Sequence, residues 1–209
     1  MNAIPEPAVA DWRCTPANLR LKRCCDIILS VVILIMMAPL MVLLGLVVKI
    51  SSPGLMVFKQ RRIGLYDEVI MVYKFRSMQT TDDGDLIAQA SRHDPRTTAF
   101  GTFLRRTSLD ELPQFINVLH DRLSIVGPRP HALAHDEHFR RLIAAYSQRH
   151  KVRPGIAGWA QVSGCRGETD TLEKMQARVE HDLEYLKIWT IWLDLRIMLK
   201  TVKVILDDS

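Results

Sequence analysis

The hydrophobic pattern of the chain is dominated by one unbroken run. From Ile27 to Val48, 22 residues (IILSVVILIMMAPLMVLLGLVV) carry no charge and are apolar on every helical face. A run of that length spans a bilayer as a helix. It is too long for a secretory signal peptide, and no small-residue cleavage site follows it. A small soluble domain could not cover so much apolar surface. Pro39 stands near its middle, and proline kinks a helix by removing one i to i−4 hydrogen bond and crowding the preceding turn. About 12 residues precede it, or about 18 Å of helix, roughly half to two-thirds of the hydrocarbon thickness. Basic residues flank both ends: Arg20, Lys22 and Arg23 before, Lys49, Lys59, Arg61 and Arg62 after. A simple span cannot put both flanks on the cytoplasmic side. A helix–break–helix hairpin that re-enters the same face can, and Pro39 marks the break; a proline-kinked span is the alternative.

The remaining pattern is mixed. Residues 1–19 hold Pro5, Pro7 and Pro16 and little periodicity, so an irregular leader is expected there, with the membrane segment at 20–50 and one further domain at 51–209. SSPG signals a turn, and VFKQRRIG and VIMVYKFRSM read as short strands or extended turns. TTDDGD (80–85) reads as an exposed loop, 107–122 as a helix, SIVGPRP as a loop and 131–150 as a polar helix. RPGIAGWAQVSG (153–164) has too much glycine and proline for regular structure. Residues 170–207 repeat apolar side chains at helical spacing. Trp189 and Trp192, near Lys187 and Arg196, suit an interfacial helix, and ordinary core packing fits the same stripe.

Composition adds little. The net charge of +5 favours phosphate-rich ligands, nucleic acid or an anionic membrane without choosing among them. Basic residues interleaved with acids, and no recognition helix, speak against nucleic acid. Cys14, Cys24, Cys25 and Cys165 form no metal-spaced cluster and fit a reducing, cytosol-facing environment; the Cys24–Cys25 pair has no evident role.

The sharpest chemical feature is TSLDELPQF, 107–115. Ser108 and Glu111 form an S-x-x-E capping box, and acids in a first helical turn are favoured by the dipole, so a purely structural reading exists. Against it, Pro113 follows too soon for an undisturbed helix, and Arg105 and Arg106 stand just upstream. A carboxylate kept ionised by arginine, here Asp110 or Glu111, suits a nucleophile or a metal ligand. Lys74 and Arg76 in KFRSM share a face if that segment is a strand. Arg129 in GPRP sits on a stiff loop suited to bidentate phosphate contact. Gln161 is the one amide in RPGIAGWAQVSG, whose glycines let backbone amides approach an anion. His131, His135 and His138 have spacing that could hold a metal on one helix face, without an evident assisting carboxylate. No P-loop, GxGxxG, HExxH or GxSxG occurs. Together these features suggest a diphosphate handled at a bilayer; a non-catalytic scaffold binding acidic lipid is the rival reading.

KFRSM, LRRTSLDELPQFINVLHDRLSIVGPRP, RPGIAGWAQVSG, DLEYLKIW and LDL, from Leu21 onward, closely resemble the bacterial sugar transferase family, the monotopic phosphoglycosyl transferases that begin exopolysaccharide and O-antigen assembly. The resemblance implies an α/β (α+β) monotopic membrane domain, with a re-entrant helix–break–helix hairpin and a small cytosolic catalytic domain bearing amphipathic interfacial helices. It places the family's catalytic dyad on Asp110 and Glu111, with Asp110 as nucleophile and a nearby Mg2+ liganded at Asp110. It assigns phosphate or nucleotide-sugar binding to Arg105, Arg129, Lys74 and Arg76. The family's helix break at Ser-Pro reads Ala38-Pro39 here, losing a hydroxyl and keeping the proline. The implied reaction transfers a hexose-1-phosphate from a UDP-sugar to undecaprenyl phosphate, a polyprenyl phosphate, with release of UMP. ETDTLEKM (168–175) resembles members using glucose or galactose. The implied location is the bacterial inner membrane, in contact with its lipid and facing the cytoplasm, and a homodimer is compatible with it. Asp182 and Asp194 match late acids of the family and receive no role from the sequence.

Overall fold

The computed structural model describes residues 16–79, 94–167, 169 and 171–207. Its first element, α1 (Pro16–Ser51), is one helix of 36 residues. It starts inside the stretch expected to be an irregular leader, and residues 1–15 lie outside the described residues. It also continues through Pro39, where a break was expected. Proline's fixed φ is itself helical, so what is lost locally is one hydrogen bond. Ile28, Ile35, Met36, Val42, Leu43, Leu46 and Ile50 are all more than half exposed. Such a surface is that of a helix solvated by hydrocarbon, compatible with a monotopic membrane domain.

Both ends of α1 are fixed to the same domain. Near its start, Lys22 Nζ meets Asp194 at 2.5 Å, Arg23 donates to the carbonyl of Val118 at 2.7 Å, and buried Asp26 accepts from Ser124 Oγ and from the Ile125 amide. Near its end, Leu44 and Val48 form a small core with Phe75 and Leu104.

The two segments read as strands form an antiparallel hairpin, β1 (Val57–Ile63) and β2 (Val69–Phe75), in register from Val57 opposite Phe75 to Ile63 opposite Val69. Ile70, Val72 and Phe75 of β2 turn inward. Buried Asn117 clips the other edge of β2, accepting from the Tyr73 amide and donating to the Met71 carbonyl.

Residues 107–122 are not one helix. They follow α2 (Ala99–Arg106), an element the hydrophobic pattern did not announce, which Thr98 caps by accepting from the Gly101 amide. A 3-10 turn, Leu109–Glu111, then precedes α3 (Gln114–Leu119). Ser108 in left-handed backbone (φ 55°) and Pro113, which has no N–H to donate, divide the stretch.

The glycine-rich motifs are also more regular than expected. Ser124–Val126 is β3 and Gly155–Ala157 is β4, paired in parallel. The pairing runs on into the GPRP loop, where the Gly127 amide donates to Ala157 and the Gly155 amide to Pro128. Between them lie α4 (Leu133–Leu142) and a 3-10 stretch, Tyr146–Lys151; the polar residues Asp136, Gln148, Arg149 and His150 of this region are buried. After α5 (Trp159–Val162), the C-terminal stripe splits into α6 (Leu172–Ile188) and α7 (Ile191–Asp207). The two proposed roles for its tryptophans divide likewise: Trp189 is core, and Trp192 is exposed. The main core joins Ile70 and Val72 to Ile125, Val126, Met175, Val179, Leu186 and Ile197. The loop expected at 80–85 lies outside the described residues.

Candidate active site

The left-handed Ser108 aims the following 3-10 turn so that Asp110 is buried and Glu111 half-buried beneath β2 and the GPRP loop. The Ser108 side chain makes no cap to the turn, so the capping-box reading does not describe this segment. Glu111 is instead clamped by cations from two other elements. Lys74 Nζ of β2 lies 2.6 Å from Oε1, and Arg129 reaches Oε1 at 2.5 Å with Nη2 and Oε2 at 3.3 Å with Nη1. Arg129 is steadied in turn by the carbonyl of Ile156 in β4.

The two neighbouring carboxyls diverge electrostatically. For Glu111 burial works against the charge, but the Arg129 and Lys74 cations overcome it and hold the group well below the carboxylate range. For Asp110 burial wins and lifts the carboxyl to about 6; Lys74, at 3.9 Å and shared with Glu111, opposes the shift, and the Glu111 charge adds to it. The arginines expected to keep Asp110 fully ionised are thus only partly effective. Arg105, bonded to Thr97 Oγ1 at 3.3 Å, contributes a weaker stabilising charge, and exposed Arg106 is not among the charges that act most on it.

Other expected site residues are placed variously. Arg76 lies just beyond β2 and donates to the carbonyls of Ser52 and Pro53, holding the turn after α1. Gln161 on α5 turns its amide oxygen toward Gly158, beside the Gly127 carbonyl; that buried oxygen has no hydrogen-bond partner among the described residues. The three histidines are not gathered as ligands: His131 is buried and engaged by Tyr146 and Arg149, and no group of three histidine, cysteine or acidic side chains able to hold a metal occurs among the described residues.

A buried layer behind the dyad escaped the sequence. Arg149 pairs with Asp182 (2.6 and 3.0 Å), contacts His131 and Tyr146, and donates to the Arg129 carbonyl at 2.6 Å. Arg62 donates to the Pro130 carbonyl at 2.5 Å, and Arg178 holds the carbonyls of Cys165 and Gly167. Burial and the charge of Arg129 bring both Arg62 and Arg178 down to about 10. Asp182 is therefore the anchor of the layer that supports the GPRP loop. Asp194 instead gathers Lys22, Tyr185 and Trp189 at the root of α1.

An acidic turn under converging arginine and lysine sits on a domain rooted to an exposed apolar helix long enough to cross a membrane, and such a cation cluster is of the kind that holds phosphate groups. The chain belongs to the bacterial sugar transferase family, which it matches over residues 17–208. It is 53% identical over 202 residues to a UDP-glucose:undecaprenyl-phosphate glucose-1-phosphate transferase of Escherichia coli (strain K12), covering 97% of this chain and 44% of that protein. A Caulobacter vibrioides protein of the same name is 44% identical, over 90% of this chain and 70% of the relative. An exopolysaccharide production protein of Rhizobium leguminosarum bv. phaseoli is 45% identical, over 88% of this chain and 94% of the relative. Against the first of these relatives the chain spans less than half the length.

Proposed function

We propose that this protein transfers glucose-1-phosphate from UDP-glucose to undecaprenyl phosphate, as the names of its relatives describe for them, in a membrane step that begins polysaccharide assembly. The observation that carries this reading is the acidic turn itself: one carboxylate neutralised by two cations beside a second that is buried and nucleophilic when ionised. In the first step an Asp110 carboxylate oxygen attacks the β-phosphorus of the UDP-sugar. The bond from that phosphorus to the bridging oxygen breaks, and UMP leaves with the bridging oxygen. In the second step a phosphate oxygen of undecaprenyl phosphate attacks the same phosphorus, and the Asp110 carboxylate is released. Lys74, Arg105 and Arg129 bind and orient the diphosphate, and Glu111 holds Lys74 and Arg129 in place.

The side chains fit a magnesium ion held mainly by substrate. Both Glu111 oxygens are engaged by cations, which leaves Asp110 as the protein's ligand, and Mg2+ is commonly bound through one or two carboxylates plus phosphates and water. When bound there it would neutralise diphosphate charge.

We further propose that α1 re-enters the inner membrane from the cytoplasmic face. Contacts from both flanks to one domain support this, since a straight crossing would leave them on opposite sides of about 30 Å of hydrocarbon. The test of the activity is UMP release by protein in lipid nanodiscs across UDP-glucose, UDP-galactose and UDP-N-acetylgalactosamine, with and without undecaprenyl phosphate. UDP-glucose should be the best donor; no UMP from any donor contradicts the proposal.

A further inference from the structure

The two-step reading leaves open what receives the phosphate of the lipid acceptor. Lys74, Arg105 and Arg129 are assigned to the donor diphosphate, with Lys74 and Arg129 braced by Glu111. A different cation stands between the dyad and the apolar surface. The loop after α5 turns through Gly164 (φ 94°) and Gly167 (φ 106°), and a side chain at either position would be strained. Buried Arg178 pins this loop from below through the carbonyls of Cys165 and Gly167. The pinned loop presents Arg166, which is exposed.

Arg166 reaches in two directions at once. Nη2 donates to Ser108 Oγ at 3.3 Å, two residues before Asp110, and Nη1 donates to the Val204 carbonyl at 3.3 Å, in the last turn of α7. That end of α7 carries Leu199, Val202 and Leu206, each more than half exposed, on the helix whose other end is rooted to α1 by the Lys22–Asp194 pair. Arg166 therefore lies where an outward apolar stripe meets the dyad turn. A phosphate offers a guanidinium stronger, charge-assisted bonds than the hydroxyl and the carbonyl that Arg166 touches here. A lipid whose hydrocarbon stays with the stripe would bring its headgroup to this place.

We propose that Arg166 binds the terminal phosphate of the polyprenyl phosphate acceptor and holds it for attack on the Asp110-linked phosphosugar. The inference rests on the two-step reading above. Its structural rival is that Arg166 merely caps α7 and steadies Ser108.

The test separates the two half-reactions in nanodiscs for wild type, Arg166→Ala and Arg166→Lys. With Arg166→Ala the KM for undecaprenyl phosphate should rise about tenfold to a hundredfold, the range expected for one charge-assisted contact. The burst of UMP from UDP-glucose without acceptor should stay within about twofold of wild type by the same logic, since donor contacts are kept. Arg166→Lys should recover part of the acceptor KM. Equal loss in both half-reactions, or an Arg166→Lys variant no better than Arg166→Ala, overturns the proposal in favour of positioning. A loss confined to binding of vesicles rich in phosphatidylglycerol makes Arg166 a general headgroup anchor and also overturns it. Wild-type protein that releases no UMP without acceptor contradicts the two-step reading instead, and the acceptor KM still judges Arg166.

Discussion

Burial lifts the Asp110 carboxyl to about 6, so its ionised form opposes folding in the working pH range. The sign follows from proton binding. Between about 4 and 6 the folded state holds a proton that the unfolded state has lost, so stability falls as pH rises through that window. Asp110→Asn should therefore stabilise the protein by about 1–3 kcal/mol at pH 7–8, with the gain shrinking toward pH 4, while abolishing turnover. Unfolding midpoints across pH in detergent check this, and an Asn variant less stable than wild type at pH 8 speaks against it. Arg129 works the other way. Its side chain is partly exposed and clamps Glu111, so Arg129→Ala should destabilise by about 1–3 kcal/mol and lower kcat/KM for UDP-glucose about tenfold to a hundredfold. Unchanged kinetics would remove Arg129 from the phosphate site. Asp110, Glu111, Lys74 and Arg129 were legible because each stands in a short motif whose residue types suit the chemistry. Arg149 and Arg178 were not, since an isolated arginine in sequence reads as a solvated surface charge and only the fold buries it; Arg62 read only as a cation flanking the apolar run. Strand parity placed Arg76 on the face of Lys74, but β2 ends at Phe75 and Arg76 turns to Ser52 and Pro53.

Among the elements, the β3–β4 pair decides where Arg129 stands. A Cβ on Gly155 would lie 2.0 Å from the Gly127 amide nitrogen, backbone against backbone, with no flexible side chain to yield. Gly155→Ala should cost at least about 1–3 kcal/mol and shift the GPRP loop, lowering turnover more than membrane association. Thermal unfolding and flotation with lipid vesicles separate these effects; a Gly155→Ala protein of wild-type stability would show that the pairing is looser than described. The hairpin's two segments were readable as short strands or extended turns behind the SSPG turn, and their pairing is what the fold adds. The β3–β4 pair was not, because each strand has three residues and its partner lies far along the chain, so no local period announces it. The split of 107–122 was half announced by Pro113; the left-handed Ser108 had no signal in its residue type.

For the whole molecule the question is how α1 sits in the bilayer. The apolar run was fully legible, and the helix runs through Pro39, where the sequence predicts a break. If α1 re-enters, an engineered cysteine near the N-terminus should resist membrane-impermeant maleimide applied from the periplasmic side. Pro39→Ala should let part of the population straighten and become labelled. Labelling of the unaltered-Pro39 protein from that side contradicts re-entry. The central claim is that a membrane-rooted domain uses Asp110 to carry the phosphosugar between a soluble donor and a lipid acceptor. The most direct measurement is mass spectrometry of the protein mixed with UDP-glucose alone, digested under conditions that preserve acyl phosphates. A hexose-phosphate adduct on the peptide containing Asp110, lost on addition of undecaprenyl phosphate and absent in Asp110→Asn, is the predicted result; turnover with no adduct on that peptide, or an active Asp110→Asn protein, would contradict it.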